Sequence, residues 1–371
     1  MLVVAHWRRW WLGTDWWLFA VLILLQAFGL LALASASYPS AWGRFFRQVI
    51  WMFFGFLAYW LAFRSDLNQW LRWSRFLYRV NLALLILVLA FGEERYGAQR
   101  WLSIGPVTFQ PSEFAKPLLI ISLASFFAQW AGQTRDRVLL IRSGLYVALP
   151  FVLVFLQPDF GTALILLAIW FGMLFLSGVS FLALTATVLS GLLLFSVAWQ
   201  KGVIKDYQKD RIIAFLDPYS RARREGYHIL QAQLAIGSGG LWGTGLFQGR
   251  MGKLGFIPAQ RTDFIFTVVC EEFGFVGASV TVALFAFLLF RLFLLMSRTS
   301  DPFAAFLVAG TFFYVFAHFF VNVGMNLRLM PITGLPLPFF SAGGSNLVAT
   351  YFLLGLVQMI AARPKRLAAV V

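Results

Sequence analysis

The sequence predicts an all-α, polytopic membrane protein with about ten transmembrane helices and one long extracytoplasmic loop. Of its 371 residues, 60% are hydrophobic and 12% are charged, whereas soluble domains average about 45–50% and about 25%. The chain also contains many runs close to the length of about 20 apolar residues that a transmembrane helix needs. A soluble core cannot account for so many such runs, so residues 1–371 are predicted to form a single integral-membrane domain.

Ten apolar runs define the predicted spans, and Gly, Pro and charged residues separate them. The spans are expected near 16–34, 47–63, 76–91, 112–130, 143–156, 160–177, 180–199, 264–290, 303–325 and 345–362. The fifth to seventh are the least clearly divided, because only Gln157-Pro158-Asp159 and Ser177-Gly178 interrupt a long apolar stretch. An even number of spans places both chain ends on the same side of the membrane.

The orientation follows from the Lys and Arg residues of the short loops. The loops on the side of the two termini hold fourteen of them: Arg8, Arg9, Arg64, Arg72, Arg75, Arg79, Arg135, Arg137, Arg142, Arg291, Arg298, Arg363, Lys365 and Arg366. The loops on the opposite side hold six: Arg44, Arg47, Arg95, Arg100, Lys116 and Arg328. Short cytoplasmic loops carry the excess of Lys and Arg, so both termini are predicted to be cytoplasmic.

The whole chain carries 30 Lys and Arg against 15 Asp and Glu, a formal charge of +15. A basic balance often accompanies nucleic-acid binding, but here the basic residues lie at the ends of apolar runs and in one long loop. Charges in those places set topology and attract anionic lipids. Membrane lipids are therefore predicted partners, and nucleic acid is not.

Residues 200–262 form the one long hydrophilic stretch, and the loop count places it outside the cytoplasm. Ten basic and four acidic residues give it a formal charge of +6. Such a loop on a membrane surface would attract an anionic lipid headgroup. Long exported loops also tolerate positive charge, because the charge rule governs short loops, so composition alone leaves both interpretations open.

Two common kinds of site do not fit the sequence. Cys270 is the single cysteine, so the chain can form neither a disulfide framework nor a zinc cluster. The glycine-rich pieces Gly237-Ser238-Gly239-Gly240 and Gly343-Gly344-Ser345 lack the following Lys-Ser/Thr and the preceding strand of a nucleotide-binding loop. Close backbone packing or a lipid-facing turn is the ordinary explanation for both pieces.

Asp263 is the first candidate functional residue, since ionisable residues at a membrane span are costly and rarely incidental. It opens an apolar helix at the point where the long basic loop returns to the membrane. It could cap that helix, a role that contributes about 1 kcal/mol. Alternatively, its carboxylate acts chemically at the boundary between lipid and water.

Glu113 and Lys116 are three residues apart at the start of the fourth span. This spacing puts them on one helical face and within reach of each other. The pair could merely orient the helix by neutralising its own charges. Alternatively, it lines a substrate cavity, in which Lys116 faces a phosphate and Glu113 holds it in place.

Three further residues lie near the same edge of the membrane. Arg100 and Trp101 occupy the short exported loop before the fourth span, where a cation and an aromatic ring serve either as a plain interfacial anchor or as substrate contacts. Asp159 precedes the sixth span, and a helix cap is favoured over a catalytic role for it.

The remaining ionisable residues lie deeper in the predicted spans. Glu271 and Glu272 would be about 12 Å from Asp263 along a straight helix, a depth that favours a structural or proton-linked role. His318 is surrounded in sequence by phenylalanines. A buried, hydrogen-bonded histidine is the favoured interpretation for it.

Several of these residues belong to motifs that occur together in one known family. The motifs are Arg100-Trp101-Leu102, Gln110-Pro111-Ser112-Glu113-Phe114-Ala115-Lys116, Thr262-Asp263-Phe264-Ile265-Phe266, Glu271-Glu272-Phe273-Gly274 and Gly334-Leu335-Pro336-Leu337-Pro338-Phe339. In this order over ten spans, they resemble the shape, elongation, division and sporulation family. Further pieces, Gln157-Pro158-Asp159 and Tyr227-His228-Ile229-Leu230-Gln231 with Ile236-Gly237-Ser238-Gly239-Gly240, are more similar to its elongation members than to its division members.

The resemblance implies an activity and partners. Members polymerise lipid II, an undecaprenyl-pyrophosphoryl disaccharide-pentapeptide, in the inner (cytoplasmic) membrane of bacteria. They work beside a class B penicillin-binding protein that cross-links the product. The resemblance therefore predicts a peptidoglycan glycosyltransferase that acts on the outer face of that membrane.

Carried over by motif, the essential carboxylate is Asp263 and the substrate-cavity pair is Glu113 and Lys116. We expect Asp263 to act as the base, while Lys116 and loop cations such as Arg211 stabilise the charge of the departing pyrophosphate. A divalent cation, Mg²⁺ or Mn²⁺, would bridge Asp263 and the pyrophosphate, although the sequence offers no obvious second acidic ligand beside it.

The chain departs from the family pattern at three positions. The usual Glu and His shortly before the essential Asp are replaced by Ala259 and Arg261, and a usual Tyr is replaced by Ala342. Two other functions stay open on the sequence alone, a flippase for the lipid-linked precursor and a non-catalytic scaffold for the transpeptidase. A flippase would use charged residues near the middle of the membrane, whereas a polymerase needs its carboxylate at the outer interface.

Overall fold

The structure of the protein is a computed structural model that describes residues 13–38, 41–95, 98–104, 107–133, 135–221, 225–257 and 259–363. Six of the cations counted above lie outside these residues: Arg8, Arg9, Arg223, Arg224, Lys365 and Arg366. The helices and the candidate site lie within the described part of the chain.

Thirteen α-helices occur in the described residues. They are α1 (Trp16–Ser37), α2 (Trp42–Arg64), α3 (Leu67–Phe91), α4 (Pro111–Trp130), α5 (Asp136–Leu156), α6 (Phe160–Leu176), α7 (Phe181–Gln200), α8 (Asp206–Leu216), α9 (Glu225–Ser238), α10 (Arg250–Lys253), α11 (Ile265–Ser297), α12 (Pro302–Asn326) and α13 (Gly344–Ala361).

Ten of these helices are long, and they overlap the ten predicted spans, so the predicted polytopic helical fold is confirmed. Eight of them are long and apolar enough to cross a membrane. The other two are α6, which is apolar but has 17 residues, and α4. The N-terminal end of α4 contains Glu113 and Lys116, which lower its hydropathy.

A small antiparallel sheet lies between α3 and α4, where the sequence suggested only a short loop. Its strands are β1 (Glu93–Arg95), β2 (Ala98–Ile104) and β3 (Val107–Phe109), in that order. Glu93 pairs with Trp101, and Leu102 pairs with Phe109. Aromatic residues favour strands because they fit a pleated, half-buried surface. The sheet carries Arg100 and Trp101 to the N-terminal end of α4.

The helices differ greatly in how deeply the bundle buries them. In each helix that could span a membrane, we compare how much of the apolar part lies buried inside the bundle. The buried share is 78% in α13 and 61% in α12, but only 6% in α7. The polar start of α4 is also enclosed, since Lys116 is fully buried. The bundle therefore surrounds α4, α12 and α13, while α7 lies at its edge.

The long hydrophilic stretch 200–262 is folded for much of its length. It contains α8, α9, α10 and a 3₁₀ turn at Tyr219–Arg221. Apolar residues of this stretch share a small second core with the ends of α11 and α12. Its buried members are Ala214, Ile229, Ala232, Ala235, Ile257, Phe264, Met325 and Ile332. This core places α8 and α9 over the end of the bundle that contains Asp263.

Helix α11 is broken at Gly274, whose φ of 64° departs from helical geometry. The break frees backbone groups, and the preceding stretch supplies partners for them. The Thr244 and Gly245 N–H groups donate to the Glu271 and Glu272 carbonyls at 2.9 and 3.0 Å. A Cβ at Gly243 would lie 2.1 Å from the Glu272 carbonyl oxygen, so only glycine permits this approach.

The Glu271 and Glu272 side chains hold the same stretch in place. Glu271 accepts from the Met251 N–H at 2.8 Å, and Glu272 accepts from the Gly249 N–H at 3.3 Å and the Ser35 hydroxyl at 2.5 Å. Of the two roles that the sequence left open for these glutamates, the contacts favour the structural one. Close packing also explains Gly239, where a Cβ would lie 2.0 Å from the Cys270 carbonyl oxygen.

Candidate active site

Asp263 lies in a tight turn just before α11. Its N–H donates to the Ala259 carbonyl at 3.1 Å, and its own carbonyl accepts from the side-chain amides of Asn322 at 3.0 Å and Asn326 at 3.2 Å. The helix N-cap is Phe264, and no side chain caps the helix. The cap interpretation of Asp263 is therefore wrong, because the turn places its carboxylate one residue too early.

The Asp263 carboxylate is half-buried and faces Gly334, since a Cβ on that glycine would lie 3.5 Å from Oδ2. Burial raises the pKa of Asp263 above its ordinary value, and a hydrogen bond with Thr262 and the charges of Arg211, Arg100 and His228 oppose that rise. The rise prevails because removal of the carboxylate from water disfavours its ionised form. The geometry thus gives a carboxylate of increased basicity beside cationic groups.

Asp159 joins the sheet to the bundle at this site. Its Oδ1 is 3.3 Å from Arg100 NH1 and accepts from the Thr162 N–H at 3.3 Å. Its Oδ2 accepts from the Ser112 hydroxyl at 3.0 Å and the Gln110 amide at 3.2 Å. The predicted cap of α6 is confirmed, and the same carboxylate also orients Arg100.

Arg211 approaches the site from α8. Its NH1 donates to the Thr333 carbonyl at 3.5 Å, and its guanidinium lies 5.8 Å from the centre of the Tyr207 ring. Three buried N–H donors here have no hydrogen-bond partner among the described residues: Arg100 Nε, Trp101 Nε1 and Arg211 Nε. Unpaired buried donors are costly, so Arg100 and Arg211, whose charges both act on Asp263, have the chemistry of an anion-binding surface.

Lys116 is fully buried in α4. Its Nζ donates to Glu113 Oε2 at 2.8 Å, lies 3.1 Å from His318 Nε2 and lies 5.6 Å from the centre of the Tyr314 ring. Glu113 Oε2 also accepts from the Asn346 amide at 2.8 Å. The predicted ion pair is confirmed, and in this conformation its ammonium group is enclosed by protein groups.

His318 is buried and hydrogen-bonded, as predicted, but the sequence did not indicate that its partner is Lys116. A signal for this was present, since Tyr314, His318, Asn322 and Asn326 follow one another at intervals of four residues. Residues four apart lie on one helical face. Polar groups at that spacing in an apolar helix indicate a polar seam that faces the inside of the bundle.

Arg261, one of the departures from the family pattern, has a structural contact. Its Nε donates to the Ala36 carbonyl at 2.8 Å, and its own carbonyl accepts from the Ala342 N–H at 2.8 Å. The turn before Asp263 is thereby attached to α1 and to the segment before α13. This arginine therefore anchors the turn.

Within the described residues, no group of three or more His, Cys, Asp or Glu is placed to hold a metal ion. The groups that lower the pKa of Asp263 by their charge are cationic side chains, Arg211, Arg100 and His228. A Mg²⁺ or Mn²⁺ ion beside Asp263 would therefore take most of its ligands from substrate phosphates and water, as Mg²⁺ commonly does in phosphate sites.

The chain is similar to known proteins over most of its length. Peptidoglycan glycosyltransferase MrdB of Escherichia coli K12 is 37% identical over 300 residues, which cover 80% of this chain and 79% of that protein. A probable peptidoglycan glycosyltransferase FtsW of Saccharophagus degradans is 33% identical over 366 residues, which cover 92% and 91%.

Solved structures have the same fold. A chain of a peptidoglycan synthase complex that coordinates polymerization and crosslinking matches with a TM-score of 0.82 and 32% identity, over 95% of this chain and 98% of that chain. The rod shape determining protein RodA of Thermus thermophilus matches with a TM-score of 0.71 and 31% identity, over 95% and 97%. The cell cycle protein family model FTSW_RODA_SPOVE matches residues 15–366. The chain therefore belongs to the FtsW, RodA and SpoVE family.

Proposed function

We propose that this protein is a peptidoglycan glycosyltransferase that polymerises lipid II into glycan strands on the outer face of the bacterial inner membrane. Its relatives MrdB and FtsW carry the name of that activity. The observation that carries the proposal is the Asp263 carboxylate, which has a raised pKa and lies close to Arg100 and Arg211. The unpaired Nε groups of these arginines suit a pyrophosphate.

The reaction needs a base and a cationic surface. The acceptor hydroxyl oxygen forms a bond to the anomeric carbon of the donor, and its proton passes to Asp263. The bond between that carbon and the pyrophosphate oxygen breaks, and the pyrophosphate leaves with the electron pair. A positioned carboxylate contributes about 10²–10⁴ in rate, and cations held in place stabilise the charge that develops on the leaving group.

Other residues would bind and orient the substrate. Arg100 and Arg211 would contact the pyrophosphate, with Asp159 orienting Arg100. Trp101 would contribute its unpaired Nε1–H group and an aromatic face at the interface. Glu113 and Lys116 form the inner wall of the proposed cavity, and Lys116 would reach a phosphate only if its contacts with Glu113 and His318 rearrange.

The biological setting is also part of the proposal. We infer a role in cell elongation, because the chain is 37% identical to MrdB and 33% identical to the FtsW protein above. We further infer a class B penicillin-binding protein as the partner. Support comes from the solved synthase complex, which couples polymerization to crosslinking.

A flippase or a scaffold is less well supported by the contacts. The deep carboxylates Glu271 and Glu272 accept hydrogen bonds from the stretch before α11, and deep charges of this kind were the feature that a flippase would use. Asp263 instead lies at the end of a span, where a polymerase needs its base. A scaffold would not need a basic carboxylate with unpaired cationic donors beside it.

The test is Asp263→Asn, which keeps the shape of the side chain and removes the base. Polymerisation of lipid II by the purified variant, resolved on gels at equal folded concentration, should fall by about 10²-fold or more. Asp206→Asn is the control, because the Asp206 side chain on α8 is 99% exposed, and it should polymerise at the wild-type rate. Near-normal synthesis by Asp263→Asn would rule out Asp263 as the base, whereas no synthesis by the purified wild-type protein would favour the flippase and scaffold functions.

The orientation needs its own test, since it rests on the count of loop cations. A reporter inserted near residue 230 should be active outside the cytoplasm, and one fused to the C-terminus should be active inside. The reverse result at either place would put Asp263 on the wrong side of the membrane for polymerisation.

A further inference from the structure

A column of buried polar side chains runs along α12. Tyr314, His318, Asn322 and Asn326 are each 0% exposed, and their four-residue spacing places them on one face. At one end of the column, Tyr314 and His318 contact Lys116. At the other end, the two asparagines donate to the Asp263 carbonyl. The column therefore connects the buried ion pair of α4 to the proposed base.

The contacts of His318 define which ring nitrogen carries the proton. Nε2 lies 3.1 Å from the Lys116 ammonium group, which can only donate. Nε2 must then accept, and Nδ1 carries the proton and donates to the Pro336 carbonyl at 3.1 Å. The neutral imidazole thus connects two separate groups, the cation of α4 and the backbone of the segment before α13.

That backbone belongs to the non-helical segment Gly334–Leu337, which contacts Asp263 directly. Gly334 faces the Asp263 carboxylate, and the Leu335 carbonyl accepts from Asn322 at 2.7 Å. The Leu337 N–H donates to the Ser341 hydroxyl at 2.8 Å, and this hydroxyl donates to the Thr262 carbonyl at 2.5 Å. Non-helical backbone inside a membrane protein needs partners for its polar groups, and side chains supply them for the Leu335 carbonyl, the Pro336 carbonyl and the Leu337 N–H.

We propose that His318 is a positioning residue that ties Lys116 to the Gly334–Leu337 segment and so sets the place of the Asp263 carboxylate relative to Arg100 and Arg211. The proposal rests on the proposed function of Asp263. His318 does not touch the substrate in this role. It acts through its two hydrogen bonds, and both are needed, because only the two together link Lys116 to the segment.

Two substitutions separate the two hydrogen bonds. His318→Asn keeps a donor near the place of Nδ1 for Pro336 and loses the contact with Lys116. His318→Gln keeps a polar group near the place of Nε2 for Lys116 and loses the contact with Pro336. A misplacement of about 1 Å costs on the order of 10²-fold in rate, so we expect each variant to lower kcat for lipid II polymerisation at least about tenfold, with KM within about twofold of wild type.

Phe316→Leu is the matched control on α12, since Phe316 is 40% exposed on another face of the helix, and it should keep the wild-type kcat. Ser341→Ala is a second test of the position of the Gly334–Leu337 segment, and it leaves His318 unchanged. It removes the attachment of the segment to Thr262, so kcat should again fall while KM is kept. This variant decides the proposal if the His318 variants do not fold.

The outcomes distinguish this proposal from the proposed function. A wild-type kcat in either folded His318 variant overturns the positioning role, as does a wild-type kcat in Ser341→Ala. A change in KM with kcat unchanged also overturns it, because the column would then serve binding alone. If Asp263→Asn is inactive in the same assay, the proposed function stands in all these cases. If Asp263→Asn is fully active, Asp263 is not the base and the proposed mechanism fails.

Discussion

Helices α7 and α12 are both long and apolar enough to cross a membrane, yet the bundle uses them in opposite ways. In α7, Leu184 is the one buried residue, whereas α12 buries most of its length. The two helices also differ in where their polar side chains form hydrogen bonds. Thr185 and Thr187 of α7 donate to the Phe181 and Ala183 carbonyls of their own helix.

Thr311 of α12 likewise donates to the Leu307 carbonyl of its own helix, but the histidine and asparagine side chains of α12 reach other elements. His318 contacts Lys116 and Pro336, and Asn322 donates to the Asp263 and Leu335 carbonyls. A threonine hydroxyl can be satisfied by the preceding turn of its own helix, but a histidine or asparagine in hydrocarbon needs partners elsewhere. The type of polar residue therefore distinguishes a lipid-facing helix such as α7 from a helix that contributes to the candidate site such as α12. Hydropathy does not distinguish them.

The largest loss of stability should follow from removing the charge of Lys116, the α4 cation that contacts His318 of α12. Lys116→Met leaves Glu113 buried without its charge partner, and breaking a buried ion pair costs about 3–5 kcal/mol. Unfolding of the purified protein in detergent should show that loss. Lys209→Met is the control. Lys209 Nζ lies 3.9 Å from Oδ1 of the exposed Asp206, and such a surface pair contributes less than about 1 kcal/mol. A loss below about 1 kcal/mol in Lys116→Met would mean that the charges are not buried together.

A smaller difference should separate the same apolar substitution in the two helices. Leu307 in α12 is 0% exposed and Leu193 in α7 is 66% exposed. In a bilayer both leucines stay in apolar surroundings after unfolding, so Leu307→Ala should lose only its packing, about 1–3 kcal/mol. Leu193→Ala should change stability by less than about 0.5 kcal/mol. Equal losses in the two variants, measured by thermal unfolding, would show that α7 packs as tightly as α12.

Much of the fold could be predicted from the sequence because the bilayer imposes length and hydropathy on each span. All ten long helices lie where apolar runs were expected. The sheet that carries Arg100 and the helices α8 and α9 were not predicted. They lie outside the apolar runs, and their packing on the bundle ends depends on tertiary contacts such as those of Phe264 and Ile332.

The sequence points to the members of the candidate site more readily than to the contacts between them. Asp263, Glu113 and Lys116 stand out in the sequence because charges beside a span are costly. The cap interpretation of Asp263 failed because a tight turn that begins at Ala259 delays the helix by one residue. The link from Lys116 through His318 to Gly334–Leu337 joins three distant parts of the chain, and no local pattern indicates such a contact.

The smallest expected effect is the pH dependence of stability that follows from the burial of Asp263, whose backbone carbonyl the asparagines of α12 hold. Burial raises the pKa of this carboxyl in the folded protein, while the unfolded chain keeps a value of about 3.9. The folded protein thus favours the protonated form. The resulting stabilisation is fully present below the unfolded pKa and is lost as the pH rises through the folded pKa. Asp263→Asn has no carboxyl to ionise, so its unfolding temperature should not decline over that window as wild type does.

At neutral pH the Asp263→Asn protein should therefore be at least as stable as wild type, although its polymerisation is lost. The difference between their unfolding temperatures should shrink toward zero as the pH approaches about 4. Polymerisation by wild type should fall in the same acid window, because a base must be ionised to accept a proton. Leu193→Ala in α7 is the control for this series and should follow the wild-type pH profile. The opposite result would be an Asp263→Asn protein that is less stable than wild type at neutral pH, with a difference that grows as the pH rises. It would mean that the ionised Asp263 carboxylate stabilises the fold.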